Sequence, residues 1–153
     1  RGDAGGGGGE PPAPEGREPA GARLPPGQMT WTLLTTDLVR AIHDAVLNPG
    51  ELAGEALNKS LEGALARVDN RLAYGMIGDA FDLAAAYAEA IAQGHCFNDA
   101  NKRTSHQSMD VCLDLNGIEI RWETEEVGRR IIALAQREMA AEDLAAWLRG
   151  QHG

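Results

Sequence analysis

Residues 79–117 read DAFDLAAAYAEAIAQGHCFNDANKRTSHQSMDVCLDLNG, and this stretch decides the fold. Asp79 is a preferred N-cap residue, and apolar side chains follow it at helical spacing until Gly94, where a helix is expected to end. A second helical pattern predicts a helix over residues 101–115. The loop of residues 95–100 between them is short, so the two helices are predicted to be neighbours in the fold.

Helical patterns also dominate the sequence on either side of this stretch. Further helices are predicted from an N-cap at Thr36 to Asn48-Pro49-Gly50, as one or two short helices within Leu52–Ala66, from an N-cap at Thr124 onward, and over Ala141–Leu148. Residues 67–78 are predicted to form a turn-rich connection, and residues 118–122, where apolar and charged residues alternate, a short strand or extended link. The predicted fold class is all-α, a compact bundle of about six helices.

The first 28 residues differ in composition from the rest of the chain. They hold 9 of the 19 glycines and 6 of the 7 prolines, and Leu24 is their only large aliphatic residue. Because such a segment has little to bury, a disordered tail is predicted over residues 1–28 and a domain over residues 29–153. We expect Met29 to be the natural start and the tail to be an upstream read-in or a cloning remnant. A genuine Gly/Pro-rich linker is the alternative.

Charge and apolar patterning exclude several classes of protein. The chain carries 14 Lys and Arg against 23 Asp and Glu, a net charge of −9, so it lacks the cations that drive binding to nucleic acid or anionic membranes. Apolar runs are too short for a membrane span. The two cysteines, Cys96 and Cys112, are too few for a disulfide scaffold and fit a reducing compartment. We therefore expect a cytoplasmic protein that contacts neither nucleic acid nor membrane directly.

The start of the helix over residues 101–115 has the features of an anion site. The first turn of a helix offers free N–H groups and the positive end of the helix dipole. Lys102 and Arg103 lie in this turn, where the dipole disfavours cations, so an anion is expected to neutralise them. Phosphate suits both side chains, and the small Ala100 allows the backbone to approach a ligand closely.

Two more side chains of the loop suggest a reaction. Asp99 adjoins the expected phosphate site, where its carboxylate is suited to hold Mg²⁺, and an aspartate here is also a common helix N-cap. His95 is the nearby histidine, the side-chain type that most often serves as a general base, which makes it the natural candidate for that role. A base, a metal-binding carboxylate and a phosphate cradle within nine residues predict phosphoryl or nucleotidyl transfer to a hydroxyl group.

Residues 95–104, HCFNDANKRT, resemble the signature H-x-F-x-x-[GA]-N-x-[RK] of the Fic/Doc superfamily, and most closely the H-x-F-x-D-A-N-K-R-T pattern of its death-on-curing (Doc) branch. Glu62–Arg67, EGALAR, resembles a stretch that precedes the substrate-side flap in this family, and Tyr74-Gly75 follows at the usual distance. Leu115-Asn116-Gly117 resembles the end of the family's motif helix. The resemblance covers roughly residues 29–153 and implies a Fic/Doc fold.

The resemblance implies a role for each residue of the motif. His95 would deprotonate the target hydroxyl, Phe97 would anchor the loop, and Asp99 would bind Mg²⁺. The residues implied to bind the ATP phosphates are Ala100, Asn101, Lys102 and Arg103. The implied catalytic set consists of His95, Asp99, Lys102 and Arg103.

The resemblance also implies a function and a partner. Members of this branch are toxins of type II toxin–antitoxin systems, and the implied activity is that of an ATP-dependent Ser/Thr protein kinase. The implied target is a threonine of elongation factor Tu, whose phosphorylation stops translation. The implied partner is a Phd-like antitoxin, whose disordered C-terminal segment folds as a helix into a groove on the toxin.

Two alternative functions stay open. Classical Fic proteins carry Gly where Lys102 stands and usually transfer AMP, so a transferase of AMP or UMP to a protein hydroxyl is the first alternative. The second is a catalytically silent module that only binds the antitoxin.

Three minor interpretations concern other side chains. Cys96, where many family members have Pro, predicts a less rigid loop that is open to oxidation. A Cys96 nucleophile, or a metal site from His95, Asp99 and His106, is disfavoured. His43 is expected to be structural or exposed.

Overall fold

Within the part of the chain that the structure describes, the third of six α-helices lies at the centre and most of the others pack on it. The computed structural model describes residues 30–152, and the tail predicted over residues 1–28 lies outside them. The helices are α1 (Thr36–Val46), α2 (Leu61–Ala73), α3 (Ala80–Gly94), α4 (Asn101–Leu115), α5 (Thr124–Ala135) and α6 (Ala141–His152). Within the described residues, β pairing is confined to one isolated bridge between Glu55 and Phe97. The prediction of an all-α fold with six helices is confirmed.

Helix α3 is buried on nearly every side because small residues make up most of it. Eleven of its 15 residues are buried, and α2, α4, α5 and α6 all pack on it. Alanine side chains let neighbouring helices approach closely, and two of the hydroxyl groups in this interior are hydrogen-bonded. The Tyr87 hydroxyl accepts a bond from the Leu34 N–H at 3.1 Å, and the Ser105 hydroxyl donates to the Ala88 carbonyl at 2.7 Å.

The predicted boundaries around the central loop are confirmed, and two others are wrong. Helix α3 begins after an Asp79 N-cap, and α4 spans residues 101–115. Residues 51–60, in contrast, are not helical, and α2 continues to Ala73 through much of the predicted turn-rich connection. The reason is that the apolar stripe of α2 continues beyond Ala66 with Val68 and Leu72.

Smaller differences concern the ends of the other helices. The N-caps of α1 and α5 are Thr35 and Glu123, one residue before the predicted ones, and α6 continues four residues past Leu148. Residues 118–122 form the extended link and not the strand, because no other strand lies beside them within the described residues. No helix among the described residues is long and apolar enough to cross a membrane.

Candidate active site

The loop between α3 and α4 is shaped by two residues in the left-handed backbone region. His95 ends α3 with φ 48°, and Ala100 precedes α4 with φ 66°. Non-glycine residues rarely adopt this conformation, and they keep it where surrounding contacts over-determine the backbone. The contacts that hold this loop are therefore part of the site.

The Asn101 side chain clamps the loop from within. Its Oδ1 accepts a hydrogen bond from the Phe97 N–H at 3.0 Å, and its Nδ2 donates to the Phe97 carbonyl at 2.9 Å. Both ends of the amide are therefore used by the loop backbone. Of the implied phosphate-binding residues, Asn101 is the one whose side chain is committed to the loop, which leaves its backbone N–H for an anion.

Residues 53–56, before α2, lie alongside the loop and hydrogen-bond to it; we call them the pairing segment. The Ala56 N–H donates to the Cys96 carbonyl at 2.7 Å, and the Asn98 N–H donates to the Gly54 carbonyl at 3.2 Å. The Asn98 side-chain amide adds a bond to the Ala53 carbonyl at 3.0 Å. This pairing segment lies before Glu62–Arg67 in the chain, so it is not the flap that the resemblance places after that stretch, and that flap stays a prediction.

His43 of α1 supports the loop from the protein interior. Its ring stacks on Phe97 with 3.9 Å between centroids and 8° between planes, and its Nε2 is 2.8 Å from the Asp99 carbonyl oxygen. Phe97 is buried, as expected for an anchor, and His43 is 1% exposed. Of the two expectations for His43, the structural one holds. Its place beside Val39 and Ile42 on the apolar stripe of α1 was the signal in the sequence.

The Asp99 carboxylate faces the N-terminal side of the pairing segment. Its Oδ2 accepts a hydrogen bond from the Leu52 N–H at 2.8 Å. The expectation that Asp99 caps α4 is wrong, because Ala100 is the N-cap residue and no side chain among residues 30–152 caps this helix. The reason is the left-handed turn at Ala100, which puts an alanine at the capping position.

The uncapped start of α4 is the strongest candidate for an anion site. Within residues 30–152, the N–H groups of residues 101–103 have no acceptor, and the dipole of a 15-residue helix favours negative charge there. Lys102 is exposed and forms no ion pair with any described residue. The helix start thus combines free donors with a cation that has no counter-charge in the described part of the chain.

Arg103 has a counter-charge that sequence reasoning missed. Its Nη1 donates to Glu51 Oε1 at 2.9 Å, and its Nη2 contacts Glu51 Oε2, while Nη1 also donates to the Val46 carbonyl at 2.5 Å. The hydrogen bonds from Arg103 and from the Asn48 N–H hold the pKa of Glu51 below its usual value. The expectation of an anion at Arg103 is therefore met by a carboxylate of the chain itself, and no local pattern in the sequence marked Glu51.

His95 is exposed at the end of α3, and its side chain has no hydrogen-bond partner among the described residues. An exposed imidazole is accessible to a hydroxyl group on another protein. The described structure thus places the predicted base, Asp99, Lys102 and Arg103 on one loop and the first helical turn after it.

Cys96 is part of the packing beneath the loop. It is 1% exposed, its Sγ is 3.5 Å from the Ser60 carbonyl oxygen, and burial raises the pKa of its thiol. A buried thiol with a raised pKa is a poor nucleophile and is protected from oxidants. The expectation of a loop open to oxidation at Cys96 is wrong for this reason.

A metal ion at this loop would depend mainly on Asp99. No group of three or more His, Cys, Asp or Glu side chains among residues 30–152 is arranged to hold a metal ion. The Nε2 atom of His106 instead lies 3.5 Å from Oδ2 of Asp110, both on α4. A single carboxylate nevertheless fits Mg²⁺, which commonly keeps several waters and takes its other ligands from substrate phosphates.

Two comparisons with known proteins cover the part of the chain that contains this loop. The sequence model of the Fic/DOC family matches residues 33–113, just over half of the chain and the whole of the loop. "Protein kinase doc" of Escherichia phage P1 is 36% identical over 114 residues, which cover 74% of this chain and 90% of the phage protein.

Proposed function

The chain belongs to the Fic/DOC family as a Doc-type member, and from this premise we propose that it transfers a phosphoryl group from ATP to a protein hydroxyl. The observation that carries the proposal is the uncapped start of α4, where free N–H groups and Lys102 favour a polyphosphate. The phage relative is named a protein kinase, which supports phosphoryl transfer over transfer of AMP.

In the proposed reaction each site residue has one task. His95 takes the proton of the target hydroxyl, and the resulting oxygen attacks the γ-phosphorus as the bond to the β–γ bridging oxygen breaks and ADP leaves. Lys102, Arg103 and the first N–H groups of α4 hold the phosphates. Asp99 holds Mg²⁺, which supplies charge neutralisation of the phosphates when bound.

The target and the biological role are the finer part of the proposal. We propose a threonine of elongation factor Tu as the target, so that the protein is a cytoplasmic toxin of a type II toxin–antitoxin system that stops translation. We also propose a Phd-like antitoxin that binds through a C-terminal helix. The acidic chain supports a complex in which contact with DNA belongs to the antitoxin.

The test is intact-mass spectrometry of elongation factor Tu after incubation with the protein, ATP and Mg²⁺. A gain of one phosphoryl group, absent with His95→Ala, is the expected result. A gain of one AMP would assign the protein to the nucleotidyl transferases. No gain on elongation factor Tu would refute this target, and a screen of whole lysate with γ-labelled ATP would then separate a kinase with another target from a silent module.

A further inference from the structure

We propose that His43 is a positioning residue: it fixes the peptide between Asp99 and Ala100 so that the Ala100 N–H joins the phosphate cradle at the start of α4. The inference rests on the proposed function, because it assigns the cradle to a phosphate. It adds to the motif a residue of α1, 56 positions before Asp99 in the chain.

The contact with Asp99 shows which nitrogen of the His43 ring carries the hydrogen. A backbone carbonyl oxygen only accepts hydrogen bonds, so the 2.8 Å contact requires a proton on Nε2. The other ring nitrogen, Nδ1, lies 3.7 Å from Asp44 Oδ1. Because His43 is 1% exposed, its bond to Asp99 is what satisfies Nε2 in the interior, and losing it would leave Nε2 buried without a partner.

The contact with His43 also sets the direction of the peptide between Asp99 and Ala100. Residues 30–152 contain no cis peptide bond, and in a trans peptide the C=O and the N–H point in opposite directions. Since the Asp99 carbonyl points at the buried His43 ring, the Ala100 N–H points away from it. Within the described residues this N–H has no acceptor.

The next peptide, between Ala100 and Asn101, is fixed as well. The Ala100 carbonyl accepts bonds from the Thr104 hydroxyl at 2.7 Å and the Thr104 N–H at 2.9 Å. Ala100 is left-handed and Asn101 is the first helical residue. Successive residues of opposite hand turn consecutive N–H groups toward one point, an arrangement that binds anions. The N–H groups of residues 100–102 therefore form one cradle, and the His43 bond determines whether the first of them belongs to it.

The stack between His43 and Phe97 is a separate contribution that substitution can isolate. His43→Phe keeps an aromatic ring beside Phe97 but removes the donor, so the peptide between Asp99 and Ala100 loses the bond that orients it. His43→Gln removes the ring but keeps an N–H donor on a side chain of similar reach. A role in packing alone predicts that Phe is the better replacement, whereas a role in positioning the peptide predicts that Gln is.

The experiment follows the Ala100 amide by NMR in the uniformly ¹⁵N-labelled full chain while inorganic tripolyphosphate is added. In the wild type we expect the Ala100 amide proton to shift downfield together with those of Asn101 and Lys102. In His43→Phe we expect the Ala100 shift to be lost and the dissociation constant to rise about tenfold, the effect of one charge-assisted hydrogen bond. His43→Gln is expected to retain the shift and to bind within about twofold of wild type.

The outcomes separate this inference from the function on which it rests. Binding by the wild type without an Ala100 shift, or equal binding and shifts in His43→Phe, overturns the role of His43 and leaves the proposed function standing. Failure of the wild type to bind both tripolyphosphate and ATP overturns both. If His43→Phe does not fold, the wild-type Ala100 shift and its retention in His43→Gln still decide the question.

Discussion

Glu51 neutralises Arg103 through a two-point contact in which each carboxylate oxygen accepts from one guanidinium nitrogen. The next residue, Leu52, donates its N–H to the Asp99 carboxylate. Residues 51 and 52 thus engage two of the proposed catalytic side chains at once. A phosphate that binds Arg103 has to replace the Glu51 carboxylate or share the guanidinium with it, so Glu51 is a competing anion within the site.

Replacing Glu51 is therefore expected to strengthen nucleotide binding. Glu51→Gln removes the competing charge. Because the pair is exposed the effect is small, and the dissociation constant for ATP is expected to fall about two- to fivefold. The measurement is calorimetric titration at low ionic strength. Glu126→Gln, which removes the same charge from a salt bridge on α5, is the matched control and is expected to change little. Weaker binding by Glu51→Gln would mean that Glu51 holds Arg103 in a binding position.

The left-handed conformation of His95 decides which substitution tests its role as a base. Asparagine tolerates this backbone region better than alanine, so His95→Asn removes the imidazole at little cost to the loop. We expect phosphoryl transfer to fall by about 10²- to 10⁴-fold, the usual contribution of a general base, with an unchanged melting temperature. We expect ATP binding within twofold of wild type, which would show that the loss of transfer does not come from weaker nucleotide binding. Retained transfer would exclude His95 as the base.

Gly94 is required by the packing of Cys96. A Cβ at position 94 would lie 2.9 Å from the Cys96 Sγ and 3.4 Å from the Ala64 Cβ. Gly94→Ala is therefore expected to lower the free energy of unfolding by about 1–3 kcal/mol in denaturant titrations, although alanine is the better helix former. Cys96→Ala removes the clashing sulfur atom. In a Cys96→Ala background, Gly94→Ala is therefore expected to lower the free energy of unfolding by less than it does in the wild type.

Gly128 provides the matched control for that experiment. It lies within α5, and a Cβ there would meet nothing within 4 Å. Gly128→Ala is expected to raise the free energy of unfolding by about 0.5–1 kcal/mol through helix propensity alone. A loss of stability at position 128 would show that the difference between the two glycines does not come from steric contact.

Stability at low pH should depend on the N-cap of α3. Burial acts to raise the pKa of Asp79, but hydrogen bonds from Arg149 and from the Asp82 N–H outweigh it, so the pKa lies below the ordinary value of 3.8. A carboxyl whose pKa is lower in the folded state stabilises the fold above the unfolded pKa. This contribution is lost as the pH falls through the folded pKa.

The variant Asp79→Asn tests this linkage, because asparagine caps helices as well as aspartate but carries no charge. We expect it to be less stable than wild type at pH 7. The difference should shrink as the pH falls below 3.8 toward the folded pKa, as measured by thermal unfolding across the pH range. An equal difference at every pH would assign the effect to capping geometry and not to charge.

Several features of the protein followed from residues that are close together in the chain. The Asp79 N-cap, the end of α3 at Gly94 and the span of α4 were predicted because capping and helical spacing are local properties. The end of α2 was misplaced because the glycines and charged residues after Ala66 resemble a turn, and the packing of Val68 and Leu72 overrides that local signal.

Short-range spacing along the chain was enough to predict the six-helix class of the fold and to mark the motif of residues 95–104. The tertiary structure alone decided how the motif is held: His43 supports Asp99 from 56 residues away, and Glu51 pairs with Arg103 across 52 residues. These contacts exist because α1 packs against α4 and brings its buried histidine, and the turn that follows the helix, to the loop. Spacing along a chain carries no information about such distant neighbours, because packing between helices and not sequence separation determines which side chains meet.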